Sequence, residues 1–198
     1  PMELGADLVV YSATKYLGGH DDLLGGAVIS RSQELAERVA FHQNAAGGIL
    51  APDEAWLLLR GLKTLPLRLA KQEANALVLA EWLSRHPHVN RTYYPGLSDH
   101  PGHDVFSRQT SGGGGAMVAF EVADAARVPD VLAGVRVFMF AESLGGVSSL
   151  ITYPSVQTHA DIDPETRERL GINNRLLRLS VGIEDAEDLR QDLERVLR

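Results

Sequence analysis

The sequence predicts an α/β chain whose second half is α+β, and three observations carry that prediction. Residues 7–11 (DLVVY) are a continuous apolar run after the first residue, the pattern of a strand covered on both faces. Residues 53–85 hold a long helical pattern, interrupted near Gly61 and Pro66, of the kind that leads from one domain into another. Residues 176–181 (LLRLSV) alternate, so that Leu177, Leu179 and Val181 share one face of a strand while Arg178 and Ser180 share the other.

The remaining elements follow in order. Residues 25–30 (GGAVIS) read as a second short strand. Residues 32–41 are charged and helix-favouring, with Ser32 as N-cap and Gly47-Gly48 as the break. Asp53 reads as the cap of the long helical stretch. After His86-Pro87 the texture changes: residues 89–94 read as a strand ended by Pro95-Gly96, and a polar loop follows. The glycine run 112–115 starts a strand at residues 116–122 rather than cradling a phosphate. Residues 125–134 read as a helix, 135–140 as a strand, and 185–198 as an amphipathic helix with Leu189, Leu193, Val196 and Leu197 on one side. The second half therefore packs about four strands with a few helices. The division expected is residues 1–60, a linking helix over 61–88, and an α+β domain over 89–198.

Composition narrows the function. A formal charge of −7 over 198 residues argues against a nucleic-acid partner, which needs a basic face. No cysteine is present, which excludes thiol chemistry, disulfides and Cys-ligated zinc and favours a cytoplasmic enzyme. No apolar run approaches the roughly 20 residues that cross a bilayer, so no membrane partner is expected. The start, Pro1-Met2-Glu3-Leu4-Gly5, reads like a chain entered midway. Neither a P-loop nor a G-x-G-x-x-G dinucleotide fingerprint occurs. The pairs His86/His88 and His100/His103 sit near prolines without well-placed carboxylates, and Asp21-Asp22 reads as a capped turn, so no metal is expected.

Three stretches carry chemistry. Lys15 follows the first strand. Ser12 and Thr14 alternate about Ala13, which would point two hydroxyls one way, and Gly18-Gly19 would let the backbone pass close to a bulky ligand. A lysine so placed is either a solvated surface charge or a Schiff-base lysine. A strand-end amine beside phosphate-binding hydroxyls is what pyridoxal 5′-phosphate (PLP) requires. Arg178 is either an edge-strand arginine facing water or a guanidinium held rigidly for bidentate capture of a carboxylate. Residues 140–146 (FAESLGG) end a strand in a small-residue turn bearing Glu142 and Ser143, either a plain turn or a binding loop.

Taken together, "SATKYLGGH", "RGLKTL", "YYPGL..HPGHD", "AESLGGV.SLITYPS.QTHADI" and "LLRLSVGIED.EDL" resemble, in this order and across nearly the whole chain, the Cys/Met-metabolism (transsulfuration) family of PLP enzymes. The cystathionine γ-synthase and γ-lyase branch is the most similar. The resemblance implies an α/β PLP-dependent transferase fold of type I, aminotransferase-like. Residues 1–60 would be the end of the large PLP-binding domain and 89–198 the C-terminal α+β domain. Only the later half of the fold would be present, and this chain alone would lack activity. By the same resemblance Lys15 is the Schiff-base lysine and Ser12 and Thr14 hold the cofactor phosphate. Arg178 and Ser143 bind the substrate α-carboxylate, and Glu142 is their acidic neighbour. Ser148 stands where the family usually has glutamate. The implied activity is γ-replacement on O-acyl-homoserine with cysteine, with γ-elimination or sulfhydrylation of O-acetylhomoserine as alternatives, and a chain acting only in assembly as the non-enzymatic one. The implied partners are small amino-acid substrates and further copies of the chain, as a tetramer of dimers.

Overall fold

A computed structural model describes residues 1–198. The chain forms two compact units, Pro1–Leu65 and Pro66–Arg198.

The first unit pairs strand β1 (Leu8–Ser12) with β2 (Gly26–Ser30) in antiparallel register, Ser12 opposite Gly26 and Leu8 opposite Ser30. Helix α1 (Gln33–Ala46) follows. Ser32 caps it, its Oγ accepting from the Leu35 amide, and Gly47 ends it in the left-handed conformation at φ 74°. Helix α2 (Pro52–Leu62) starts at Ala51 with Pro52 in its first turn, and the Glu54 carboxylate accepts from the Ala51 amide. Asp53 therefore lies inside the first turn and is not the cap. Within these residues β1 is open to solvent, as expected if only the later half of the fold is present. Val10 is 73% exposed, and Leu8, Tyr11, Val28 and Ile29 are exposed as well.

In the second unit, helix α3 (Leu65–Leu83) lays Ala76, Leu79, Ala80 and Leu83 into the core. Its other elements are β3 (Val89–Tyr93), α4 (His103–Gln109), β4 (Met117–Val122), α5 (Val128–Gly134), β5 (Met139–Phe140), β6 (Leu150–Thr152), α6 (Pro164–Arg169), β7 (Leu176–Ser180) and α7 (Ala186–Leu197). The sheet has five strands, not four, in the order β3-β4-β7-β6-β5. All pairs are antiparallel except β5 with β6. Phe120, Ile151, Leu177, Leu179 and Val181 meet Leu189, Leu193 and Leu197 of α7 in one continuous core. Asp185 caps α7 by accepting from the Glu187 amide.

The strand expected over residues 135–140 shrinks to two residues for a visible reason. The buried Asp192 carboxylate of α7 accepts the backbone N–H groups of Arg136, Val137 and Phe138 at 2.8–3.0 Å. Amides spent on a carboxylate are not available to a ladder. Burial pushes the Asp192 carboxyl up, but those amides and the Arg195 guanidinium at 2.6 Å together hold it below its ordinary range. The glycine run 112–115 packs closely on the chain itself. A Cβ at Gly113 would meet the Glu73 carboxylate at 1.5 Å, and one at Gly114 the Tyr94 ring at 2.5 Å, so the loop lies flat over both side chains. No helix is long and apolar enough to cross a membrane.

Candidate active site

The Lys15 region belongs to the first unit. β1 ends at Ser12, and the chain enters a wide helical turn over Ala13–Leu17 that Lys15 interrupts with non-helical backbone at φ −93°, ψ −128°. Strand alternation therefore does not set the directions of Ser12 and Thr14, because Thr14 is already in the turn. Its hydroxyl accepts from the Gly25 amide at 3.0 Å and donates to the Gly25 carbonyl at 3.3 Å, which ties the start of the Lys15 turn to the residue before β2. The amides of Ala13 and Thr14 both reach that same carbonyl. Ser12 is exposed at the strand end and Lys15 is half-buried.

The chain itself also requires the pair Gly18-Gly19. A Cβ on Gly18 would lie 2.8 Å from the Ala13 carbonyl and 2.9 Å from Leu23, and Gly19 sits at φ 72°. Gly61 of α2 is packed against the same turn, where a Cβ would come within 2.3 Å of the Gly18 carbonyl oxygen. Asp21 follows in the left-handed conformation at φ 58°. Burial and the neighbouring Asp22 raise its pKa, while His20 and Lys15 oppose the rise.

The Arg178 region belongs to the second unit. β7 is the middle strand of its sheet, so Arg178 is not an edge residue: Ala119 of β4 and Thr152 of β6 are its partners on either side. Leu177 and Leu179 are buried on the opposite face. The Arg178 guanidinium donates to the Ser143 carbonyl at 3.4 Å and to the Thr152 hydroxyl at 3.3 Å. One strand, one neighbouring strand and one turn thus hold the cation. Ser143 lies at φ 146°, a conformation that costs a non-glycine residue about 1–3 kcal/mol and persists only when its surroundings over-determine it. Glu142 beside it is exposed.

The surroundings that hold Ser143 were not expected from sequence. The Thr152 hydroxyl donates to the Ala141 carbonyl at 3.1 Å, and the Ser180 hydroxyl accepts from the Gly145 amide at 2.9 Å. Gln72 of α3 donates from Nε2 to the Gly146 carbonyl at 2.6 Å. Glu184 accepts from both the amide (2.7 Å) and the hydroxyl (2.8 Å) of Ser149, and that hydroxyl accepts from the Gly182 amide at 2.8 Å. Asn75 donates to the carbonyls of Gly182 and Glu184. A signal was present in the sequence: Arg68, Gln72, Asn75 and Leu79 are spaced by four, three and four, and so share one helix face. The first three are polar and all four are buried.

The histidine pairs have local tasks. His86 Nδ1 accepts from the His88 amide at 3.2 Å and its Nε2 lies 3.7 Å from Glu194, while burial lowers its pKa against that charge. His103 Nδ1 donates to the Pro95 carbonyl at 2.9 Å, and His100 Nδ1 accepts from the Gly102 amide. No group of three His, Asp or Glu is gathered as for a metal ion.

The donor set fits a phosphorylated aldehyde cofactor. Such a group needs a primary amine on a restrained backbone and hydroxyl or amide donors close by in the chain. Lys15 in its kinked turn supplies the amine and Ser12 at its start an exposed hydroxyl, while the Thr14–Gly25 bonds keep that start rigid and would have to be exchanged for Thr14 to donate to a phosphate.

Comparison with known proteins agrees with this reading. The chain is 50% identical over 197 residues to cystathionine γ-lyase of Bacillus subtilis (strain 168), covering 100% of this chain and 52% of that protein. It is 49% identical over 197 residues to cystathionine β-lyase of Lactococcus lactis subsp. cremoris (strain MG1363), with the same coverage. The crystal structure of cystathionine γ-synthase from Xanthomonas oryzae pv. oryzae, in complex with aminoacrylate and cysteine, superposes with a TM-score of 0.95 at 48% identity, over 100% of this chain and 51% of that one. The chain spans about half the length of the curated relatives it matches. A family model described as Cys/Met metabolism PLP-dependent enzyme matches residues 1–198, and the fold is that of its α/β, type I members; the chain belongs to this PLP-dependent family.

Proposed function

We propose that the protein carrying this chain is a transsulfuration enzyme that performs γ-replacement on an O-acyl-homoserine with cysteine, as a cystathionine γ-synthase does. The observation that carries the substrate class is Arg178: a guanidinium on the central strand, braced by Thr152 and by a strained turn, suits a carboxylate that must be held in one orientation. Lys15, Ser12 and Thr14 would hold the cofactor. Bound PLP supplies an electron sink for negative charge developing at the substrate's Cα. Arg178 and Ser143 fix the α-carboxylate and so choose which Cα bond is labile. The Lys15 amine would take the Cα proton, hand it on to the bound cofactor and, a free base again, take a proton from Cβ; loss at Cβ would let the γ-substituent leave with its bonding electrons, and once a thiol has added at Cγ the Lys15 ammonium would return protons to Cβ and Cα. Glu142, exposed beside Ser143, would be the acidic neighbour of that carboxylate site. Assembly as a homo-oligomer is part of the proposal and is supported by the exposed apolar side chains of the first unit.

A second reading, compatible with the similarity to a γ-lyase, is γ-elimination of cystathionine to cysteine, 2-oxobutanoate and ammonia. Product analysis separates the two. Cystathionine formed from O-acyl-homoserine plus cysteine supports γ-replacement; 2-oxobutanoate from cystathionine alone, with no cystathionine formed in the first assay, overturns it.

A further inference from the structure

The turn that bears Glu142 and Ser143 is held from beneath by side chains distant in sequence. Gln72 is 0% exposed, yet it presents an amide where an apolar side chain would fill the same space. Its Nε2 donates to the Gly146 carbonyl at 2.6 Å, three residues after Ser143, while its Oε1 is buried without a hydrogen-bond partner. A buried acceptor left unsatisfied is unfavourable, so the amide is tolerated there for the donor it supplies. At the far end of the same turn both Glu184 oxygens are committed to Ser149, and the Ser149 hydroxyl in turn receives the Gly182 amide. The backbone of Gly182 approaches so closely that a Cβ there would lie 2.2 Å from the Val147 carbonyl oxygen and 2.4 Å from Glu184 Oε2. The Ile183 amide donates to that Val147 carbonyl at 2.9 Å. The turn is thus pinned at Gly146, Val147 and Ser149, while Arg178 holds it at Ser143.

We propose that Gln72 and Glu184 are positioning residues for the substrate carboxylate: Gln72 sets where the Ser143 turn lies over β7, and Glu184 fixes the end that Gln72 does not reach. The inference rests on the reading of Arg178 and Ser143 as the carboxylate site. Neither residue is assigned contact with substrate; each acts through the strained backbone at Ser143.

The test uses the encoded full-length protein loaded with PLP, and two ligands that differ only in the carboxylate, L-alanine and ethylamine. Their dissociation constants are measured by equilibrium dialysis for the unaltered protein and for Gln72→Met, Glu184→Gln and Arg178→Ala. Gln72→Met should weaken L-alanine about tenfold and leave ethylamine unchanged, with cofactor content retained. Glu184→Gln, which keeps one acceptor oxygen, should do the same to a smaller extent. Equal weakening of both ligands would mean a merely structural role, and no weakening of either would mean none; each overturns the proposal. Should Gln72→Met fail to fold, Gln72→Asn retains the amide but withdraws it from Gly146 and allows the same comparison. Arg178→Ala tells the two levels apart. If it leaves L-alanine binding intact, the carboxylate site itself is misassigned; if it abolishes the preference for L-alanine while the Gln72 variants do not, only the positioning claim falls.

Discussion

In the first unit the buried apolar side chains are Ala13 and Leu23; in the second a continuous core runs from Ala76 to Leu197. The first unit carries the amine, on a turn fastened by hydrogen bonds to Gly25 and by the close approach of Gly61. The second carries the guanidinium, on a strand whose other face is Leu177 and Leu179. Within these 198 residues Lys15 is held by backbone bonds beside little apolar burial, whereas Arg178 is held by a core. Burial at roughly 25 cal/mol per Å² predicts a more self-supporting second unit than a first one resting, within these residues, on a two-stranded ladder.

The contrast can be broken or sharpened by measurement. The largest effect belongs to Lys15. In the encoded full-length protein Lys15→Ala should lower turnover by about ten-thousandfold, and borohydride followed by peptide mapping should label Lys15 in the unaltered protein; a label on Lys63 or Lys71 would refute the assignment. Next comes amide exchange in the 198-residue chain purified alone. The amides of β7 should be protected by about a thousandfold or more, those of β1 and β2 barely, and equal protection of both would show that the first unit is as self-supporting as the second. Arg178→Ala should lower kcat/KM about a hundredfold while leaving cofactor binding intact, since truncating one partner of a buried charge pair costs about 2–5 kcal/mol.

Two smaller effects sharpen the account of the second unit. Asp192→Ala strands three backbone amides and Arg195, and should destabilise the unit by about 3 kcal/mol in urea titration. The folded Asp192 carboxyl titrates below its ordinary value of 3.8, so its stabilisation is complete above that value and is lost as pH falls through the lower, folded one. A stability curve whose acid limb is unchanged in Asp192→Ala would refute this. Tyr94→Phe removes the hydroxyl's bond to the Gly115 carbonyl and should cost about 1 kcal/mol. Burial and the Glu73 charge push Tyr94 up to about 12, against a Gly114 backbone bond that opposes them. Its contribution is therefore present below the ordinary value of 10.0 and fades as pH rises through about 12, a loss that Tyr94→Phe should abolish.

What could be read from the sequence was what local chemistry decides. Ser32, Gly47 and Asp185 mark helix ends because a cap is a bond within a few residues, and the alternation over residues 176–181 assigned both faces of β7 correctly. What stayed hidden depends on distant partners. The short β5 is explained by a carboxylate more than fifty residues away, and Gln72 in a helix gives no hint that its amide ends on Gly146. β6, three residues long, and helices α4 and α6 are too short for periodicity to register. At the candidate site the types of residue were legible, since a lysine after a strand and an arginine within one are visible as such. The kink at Lys15 and the positive φ at Ser143 were not, because neither residue is glycine.

Gly61 sets a limit of a different kind. The Gly18 amide donates to Ala13 and the Gly19 amide to Lys15, so the Gly18 carbonyl that Gly61 abuts is part of the turn holding the lysine. Every single-nucleotide missense change in a glycine codon yields a residue with a Cβ, and here that atom would fall 2.3 Å from the Gly18 carbonyl oxygen. No single-nucleotide missense change at this codon leaves the lysine turn undisturbed. The position is closed to gradual drift, and any lineage that changed it had to move the turn as well.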